Sequence, residues 1–205
     1  MKKKDEITIY LWFDTEFTSL ELEQAQLLQV ALIITDTKLN RLLSPDQDLN
    51  LIVKLEDGKE VSPWVAENLP DLVVACQSSR AFDVMDVDTR LTSYLDEAIG
   101  LFQKDVECQP VLAGNSVHAD LSTAQKFLPK FSGRFHYRLF DVSTLKQEWK
   151  HWFSGEEFDK DSPDLVKKYF PESKDEVEGR AHDAYYDILA SMAELNFYRS
   201  QLKKI

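Results

Sequence analysis

The stretch Ile7-Thr8-Ile9-Tyr10-Leu11-Trp12-Phe13-Asp14-Thr15-Glu16 decides the fold. Residues 7–13 are almost continuously apolar or β-branched, the pattern of a central strand. Asp14 and Glu16 stand at its end, two residues apart. Strand side chains alternate, so both carboxylates project from one face. Adjacent carboxylates repel unless a cation or a shared proton intervenes. By itself, Asp-x-Glu is also what an ordinary exposed strand end carries.

Outward from this strand, Leu27–Thr35 and Leu49–Leu55 read as two more strands, separated by a turn-bearing stretch with Asn40 and Pro45. Ser62 and Pro63 give the cap and first position of a helix over Pro63–Val74. Apolar residues at Val84, Val87, Leu91, Leu95, Ile99 and Phe102 predict an amphipathic helix over 84–103. Then come a strand at Pro110–Asn115, a helix at Leu121–Phe127, a strand at Tyr137–Val142 and a helix from Ser143 to about Trp152. The stretch from about 154 to 179 is acidic, carries Pro163 and Pro171, and holds a short helix between loops. A helix from about Asp183 to Leu202 closes the chain. Three strands followed by helix–strand alternation predict an α/β protein with a mixed sheet flanked by helices. No repeat or linker divides residues 1–205, which read as a single domain.

Two further blocks carry acids. In Gly114-Asn115-Ser116-Val117-His118-Ala119-Asp120 the acid follows a strand end, where α/β proteins gather their sites. It is equally placed to cap a helix starting at Leu121. In His182-Asp183-Ala184-Tyr185-Tyr186-Asp187 the histidine and the last acid are five residues apart. On one helix they would be rotated by roughly 140° from each other. They converge only if His182 precedes the helix, which Gly179 and Arg180 allow. Four carboxylates near apolar segments call for a compensating charge, and hard divalent cations supply it most directly. Two such ions with a nearby histidine suit in-line attack on a phosphodiester.

Composition narrows the partners. The chain has 36 Asp and Glu against 24 Lys and Arg, a net charge of −12. Long nucleic acid is held chiefly through phosphate contacts, for which this balance is unfavourable. No basic tract is present; Lys146, Lys150, Lys167 and Lys168 are scattered among acids. The two cysteines, Cys76 and Cys108, lack metal-site spacing and read as thiols of a reducing compartment. Met1-Lys2-Lys3-Lys4 imitates the start of a signal peptide, but the apolar run after it is short and Asp14 interrupts it. No stretch reaches the roughly 20 apolar residues of a membrane span. The expectation is a cytoplasmic protein.

Asp14 and Glu16, Asp120, and His182 with Asp187 occur in the order and type of the three motifs of the DEDDh 3′→5′ exonucleases, which the chain resembles. Four further blocks resemble the oligoribonuclease branch: Asp14-Thr15-Glu16-Phe17-Thr18-Ser19-Leu20, Ala113-Gly114-Asn115-Ser116, the run from His136 to Lys146, and Ala193-Glu194-Leu195-Asn196-Phe197-Tyr198-Arg199. The resemblance covers residues 7 to 202. It implies a ribonuclease H-like fold, a homodimer, and 3′→5′ hydrolysis of short RNA to nucleoside 5′-monophosphates. It assigns two Mg²⁺ or Mn²⁺ ions to Asp14, Glu16, Asp120 and Asp187, and the general base to His182. By the same resemblance, Leu20 wedges between bases and Trp64 stands beside the 3′ end. Tyr137 reaches the partner's site, completing it together with Arg138. Ser116, Arg138, Ser143 and Thr144 surround the 5′ phosphate.

The chain departs from the family pattern at Gln29, where a glutamate is expected, and at Val117-His118-Ala119, which replaces a smaller spacer. Leu69 stands where a substrate-side histidine is expected, and the stretch between Thr144 and His182 is long and acidic. Other DEDDh enzymes, such as ribonuclease T-like trimmers and DNA proofreading subunits, share the catalytic set. A non-catalytic binding module and a metal-stabilised structural protein are the readings from other classes.

Overall fold

The computed structural model describes residues 6–56, 58–103, 106–153, 156–170 and 182–202. Its centre is β1 (Glu6–Phe17), which pairs antiparallel with β2 (Leu27–Asp36) and parallel with β4 (Glu107–Gly114). The short strands β3 (Leu49–Ile52) and β5 (Leu139–Asp141) complete a mixed sheet of order β3-β2-β1-β4-β5. The ribonuclease H-like expectation is met.

The alternation of β1 sorts its side chains between two cores. Ile9, Leu11 and Phe13 pack with α3 (Val84–Gly100) and α4 (Val117–Phe127). Tyr10 and Trp12 pack on the opposite face against α8 (Ala184–Leu202). Most of α8 is buried, so it reads as a core helix rather than a one-faced surface helix. Asp14 and Glu16 share the parity of Tyr10 and Trp12, the face covered by α8; Thr15 shares that of Phe13.

Several predicted boundaries move. The expected helix over 63–74 is two helices, α1 (Pro63–Asn68) and α2 (Pro70–Cys76). Pro70 cannot donate to the ladder and restricts Leu69, whose φ of −124° and ψ of 40° break the first helix. Ser62 does cap α1, accepting from Val65 N. Helix α4 begins at Val117, four residues before the expected start at Leu121, so Asp120 lies inside its first turn and is not its cap. The third strand ends at Ile52, and the fifth is only three residues long. The expected helix after it is α6 (Val142–Glu148), continued by a π-helical turn at Trp149–Phe153. A short helix, α5 (Pro129–Ser132), was not anticipated.

The acidic segment contributes α7 (Pro163–Tyr169). Phe158, Val166 and Phe170 from this region are buried beside α8. The turn expected from Gly179 and Arg180 lies outside the described residues. No helix of the described residues is long and apolar enough to cross a membrane.

Candidate active site

The parallel strands β1, β4 and β5 end on one side of the sheet, and a cleft of about 880 Å³ opens there. Asp14, Glu16, His182 and Asp187 line it. One ligand-capable atom each from Glu16, His182 and Asp187 lies within 4.8 Å of the others. The register of β1 against β2 shifts between Glu16 and Phe17, a bulge beside the acids. The approach of β4 is equally tight: a Cβ on Gly114 would stand 3.2 Å from the carbonyl of Phe13, which explains a glycine next to Asp14.

His182 stands ahead of α8, as its spacing from Asp187 requires. Its φ of 69° is left-handed, an uncommon conformation for a residue other than glycine. Two contacts hold it there. Its backbone N–H donates to Asp187 Oδ2 at 3.0 Å, and its ring meets Trp64 edge-on with centroids 4.9 Å apart. Asp183 caps α8, accepting from Tyr185 N and Tyr186 N.

Gln29, the departure from a glutamate, ties this helix start to the sheet. It pairs with Glu16 across β1 and β2. Its Oε1 accepts from Ala184 N at 3.2 Å, and its Nε2 donates to Asn50 Oδ1 at 2.8 Å and Asp183 Oδ2 at 3.4 Å. An amide can donate to Asp183 and accept from Ala184 at once; an ionised glutamate could only accept.

Asp120 is nearly buried, behind the cleft rather than on its lining. Its Oδ1 accepts from the Thr15 hydroxyl at 2.9 Å. The two faces of β1 thus serve one site, with Asp14 and Glu16 facing α8 and Thr15 holding the acid from α4.

The carboxylates resist ionisation. Burial, then the charges of Asp120, Asp187 and Glu16, holds Asp14 well above the ordinary range, against an opposing pull from Lys160. Glu16 is pushed up to about 8, by burial and then by Asp187, Asp120 and Asp183. Asp120 is pushed up to about 7, again chiefly by burial, with the Thr15 hydrogen bonds opposing. Hard oxygen donors that repel one another in a partly desolvated cleft match a divalent cation in both charge and chemistry.

At the rim, Leu20 is 93% exposed and Trp64 48% exposed, so neither belongs to a core. The Thr18 carbonyl accepts from Ser62 N at 2.9 Å, fixing α1 and Trp64 beside the end of β1. Leu69 is different: it packs with Leu28, Leu55, Val65 and Cys76 and does not enter the cleft.

Ser116 lines the cleft in a left-handed conformation, with φ 53°. Its N–H donates to Asp141 Oδ1 and Ser143 Oγ, and the Ser143 hydroxyl donates to Asn115 Oδ1. Behind them the fully buried Glu194 accepts from Asn115 Nδ2 at 3.0 Å and the Tyr198 hydroxyl at 2.8 Å. Thr144, Tyr137 and Arg138 do not line the cleft of their own chain. Tyr137 is 79% exposed, and the Arg138 guanidinium lies 5.2 Å from its ring centroid.

Residues 11–195 match the sequence family described as exonuclease. The chain belongs to the exonuclease family. It is 32% identical to a probable oligoribonuclease of Schizosaccharomyces pombe, over 93% of this chain and 67% of the relative. It is also 32% identical to a mitochondrial oligoribonuclease of Bos taurus, over 95% of this exonuclease and 73% of the relative. An oligoribonuclease of Chromobacterium violaceum is 28% identical, over 95% and 96%.

Solved structures agree on the fold. Exonuclease I of Methylocaldum szegediense superposes with a TM-score of 0.64 at 18% identity, over 96% of this chain and 41% of that one. Cell-death related nuclease 4 gives 0.61 at 17%, over 97% and 65%. This exonuclease therefore spans less than two thirds of either solved chain. Pop2p of S. pombe, in an Mg²⁺- and Mn²⁺-bound form, gives 0.60 at 14%, over 94% and 83%.

The sequence reading missed two supports of this site. The Gln29–Asp183 tether could have been suspected from the departure at position 29. Lys160, which lines the cleft, was hidden among Glu156, Glu157, Asp159 and Asp161.

Proposed function

We propose that this exonuclease hydrolyses short RNA from the 3′ end and releases nucleoside 5′-monophosphates. The observation that carries this reading is the convergence of Glu16, His182 and Asp187 on one point of the cleft beside Asp14. Asp14, Glu16, Asp120 and Asp187 would hold two divalent cations, Mg²⁺ or Mn²⁺. When bound, such ions neutralise the carboxylates and activate water for attack on the phosphate.

His182 takes a proton from the attacking water as general base. The hydroxyl adds to phosphorus, the 3′ oxygen of the shortened chain leaves, and that oxygen takes a proton from solvent. The Trp64 edge and the Asp187 hydrogen bond keep the imidazole in the cleft. Exposed Leu20 and Trp64 supply apolar surface for the terminal bases, a contact that needs no base sequence. Stacking and a few positioned donors suit a substrate of a few nucleotides in a chain of net charge −12.

The chain acts as a homodimer in this reading. Tyr137 and Arg138 flank the edge strand β5 and leave their own cleft unserved, so a second copy would receive them. Ser116, Ser143 and Thr144 would join Arg138 around the 5′ phosphate.

The test is incubation with labelled RNA of two to about ten nucleotides and Mn²⁺, following product lengths over time. Stepwise loss from the 3′ end down to mononucleotides is expected. Internal cuts, or intact dinucleotides beside shortened longer RNA, would overturn the reading.

A further inference from the structure

Among the described residues, Lys160 is the only lysine or arginine in the cleft lining. It comes from the acidic segment, the part of the chain that the proposed mechanism leaves without a task. Its position is built rather than incidental. The carbonyl of Lys160 accepts from the Tyr186 hydroxyl at 2.8 Å, which fastens the loop to α8 one residue from Asp187. Two residues earlier, Phe158 is buried in the core on the α8 face. Upstream, the Glu156 carbonyl accepts from the Trp149 indole at 2.8 Å.

The ammonium stands 3.4 Å from Asp187 Oδ1. The other oxygen of that carboxylate receives the His182 N–H. An ammonium has three donors, and among the described residues this one has a single hydrogen-bond partner. Two N–H groups therefore remain for whatever enters the cleft. Asp14, Glu16 and Asp187 share that space, and Lys160 adds an N–H donor of positive charge to it.

We propose that Lys160 is a substrate-contacting residue, donating to a non-bridging oxygen of the scissile phosphate and of the 5′-monophosphate product. This rests on the exonuclease reading above. Lys160 pairs with Asp187, a carboxylate that would also hold a divalent cation. The ammonium therefore competes with the cation in the free protein and turns to the phosphate in the complex. The acidic segment in this way delivers a cation to a cleft that also holds Asp14, Glu16 and Asp187.

The experiment compares Lys160→Met and Lys160→Arg with wild type in three measurements. These are Mn²⁺ affinity of the nucleotide-free protein, AMP affinity in saturating Mn²⁺, and the single-turnover rate on a diribonucleotide in saturating Mn²⁺. Loss of a charge-assisted hydrogen bond to phosphate should weaken AMP binding and slow cleavage in Lys160→Met, each by about 10- to 100-fold. Mn²⁺ affinity should hold or rise, and Lys160→Arg should recover most of both losses.

A Lys160→Met protein with wild-type AMP affinity and rate overturns the proposal, because Lys160 would then only pair with Asp187. A variant that loses Mn²⁺ binding in proportion to activity overturns it also, by showing that the lysine shapes the metal site. If wild type itself leaves every RNA intact, the exonuclease reading fails first and the proposal falls with it. The two failures are therefore distinct.

Discussion

The backbone N–H of His182 donates to Asp187 Oδ2 across 3.0 Å, closing the turn that precedes α8 onto the helix it introduces. The proposed general base and a carboxylate of the proposed metal set are thus joined directly by one hydrogen bond. Asp187→Asn keeps an oxygen for this bond but removes the charge. The expected result is an unchanged circular-dichroism spectrum with turnover abolished, and the same holds for Asp14→Asn. A variant of either acid with near-normal rate at saturating metal would defeat the ligand assignment.

His182→Ala should lower the single-turnover rate by about a hundredfold or more while Mn²⁺ affinity changes little, as loss of a general base does. An unchanged rate would leave the His182 ring with a structural contact to Trp64 and no part in the reaction.

Stability should depend on pH with a definite sign. Glu16 and Asp120 are pushed up to about 8 and about 7, so the folded state holds protons that the unfolded state has already released. Where the folded state binds more protons, stability falls as pH rises. In chelator, the melting temperature should therefore drop between about pH 5 and about pH 8 and level off above. Added Mn²⁺ or Mg²⁺ should reverse the drop, because a ligand of the folded state stabilises it. Glu16→Gln should flatten the chelated profile. A melting temperature that climbs over the same range in chelator would contradict the electrostatics described.

The proposed sharing of the site between two copies is tested by subunit mixing. Asp14→Asn protein should be inactive by itself, and Tyr137→Ala protein weak, since base–aromatic stacking contributes about 1–3 kcal/mol. After exchange, one site of the heterodimer combines intact acids with the other subunit's intact Tyr137, and activity should rise toward half of wild type. Demonstrated heterodimers without recovery would show that Tyr137 serves its own chain.

Gln29→Ala should cost about 1 kcal/mol of stability through the lost bond to Ala184, measured by urea unfolding. It should also slow cleavage by freeing the His182 turn. Equal rates in Gln29→Ala and wild type would confine Gln29 to a structural part.

What could be read from the chain follows from physics that acts over short spans. The apolar run of β1 and its alternation gave the central strand and put Asp14 and Glu16 on one face, because strand parity is local. The geometry of five residues on a helix placed His182 before α8 without knowledge of its neighbours. Long-range contacts were harder to read. Lys160 reaches Asp187 because Tyr186 holds its carbonyl and Phe158 is buried, neither of which follows from charge pattern. The start of α4 was misplaced because a left-handed Ser116 opens it, a conformation that serine seldom signals. The break at Leu69 was legible in Pro70 and passed over. Tyr137 had meaning only through resemblance, since it does not line the cleft of its own chain.

The division of β1 between two faces also limits where this protein can change length. Inserting or deleting one residue between Ile9 and Asp14 would exchange Tyr10 and Trp12 with Leu11 and Phe13 and turn the acids away from α8. Growth is tolerable where no strand parity is carried, and among the described residues between α6 and α8 no strand occurs. A change of length there leaves the phase of the central strand intact, and the same span places Lys160 in the cleft.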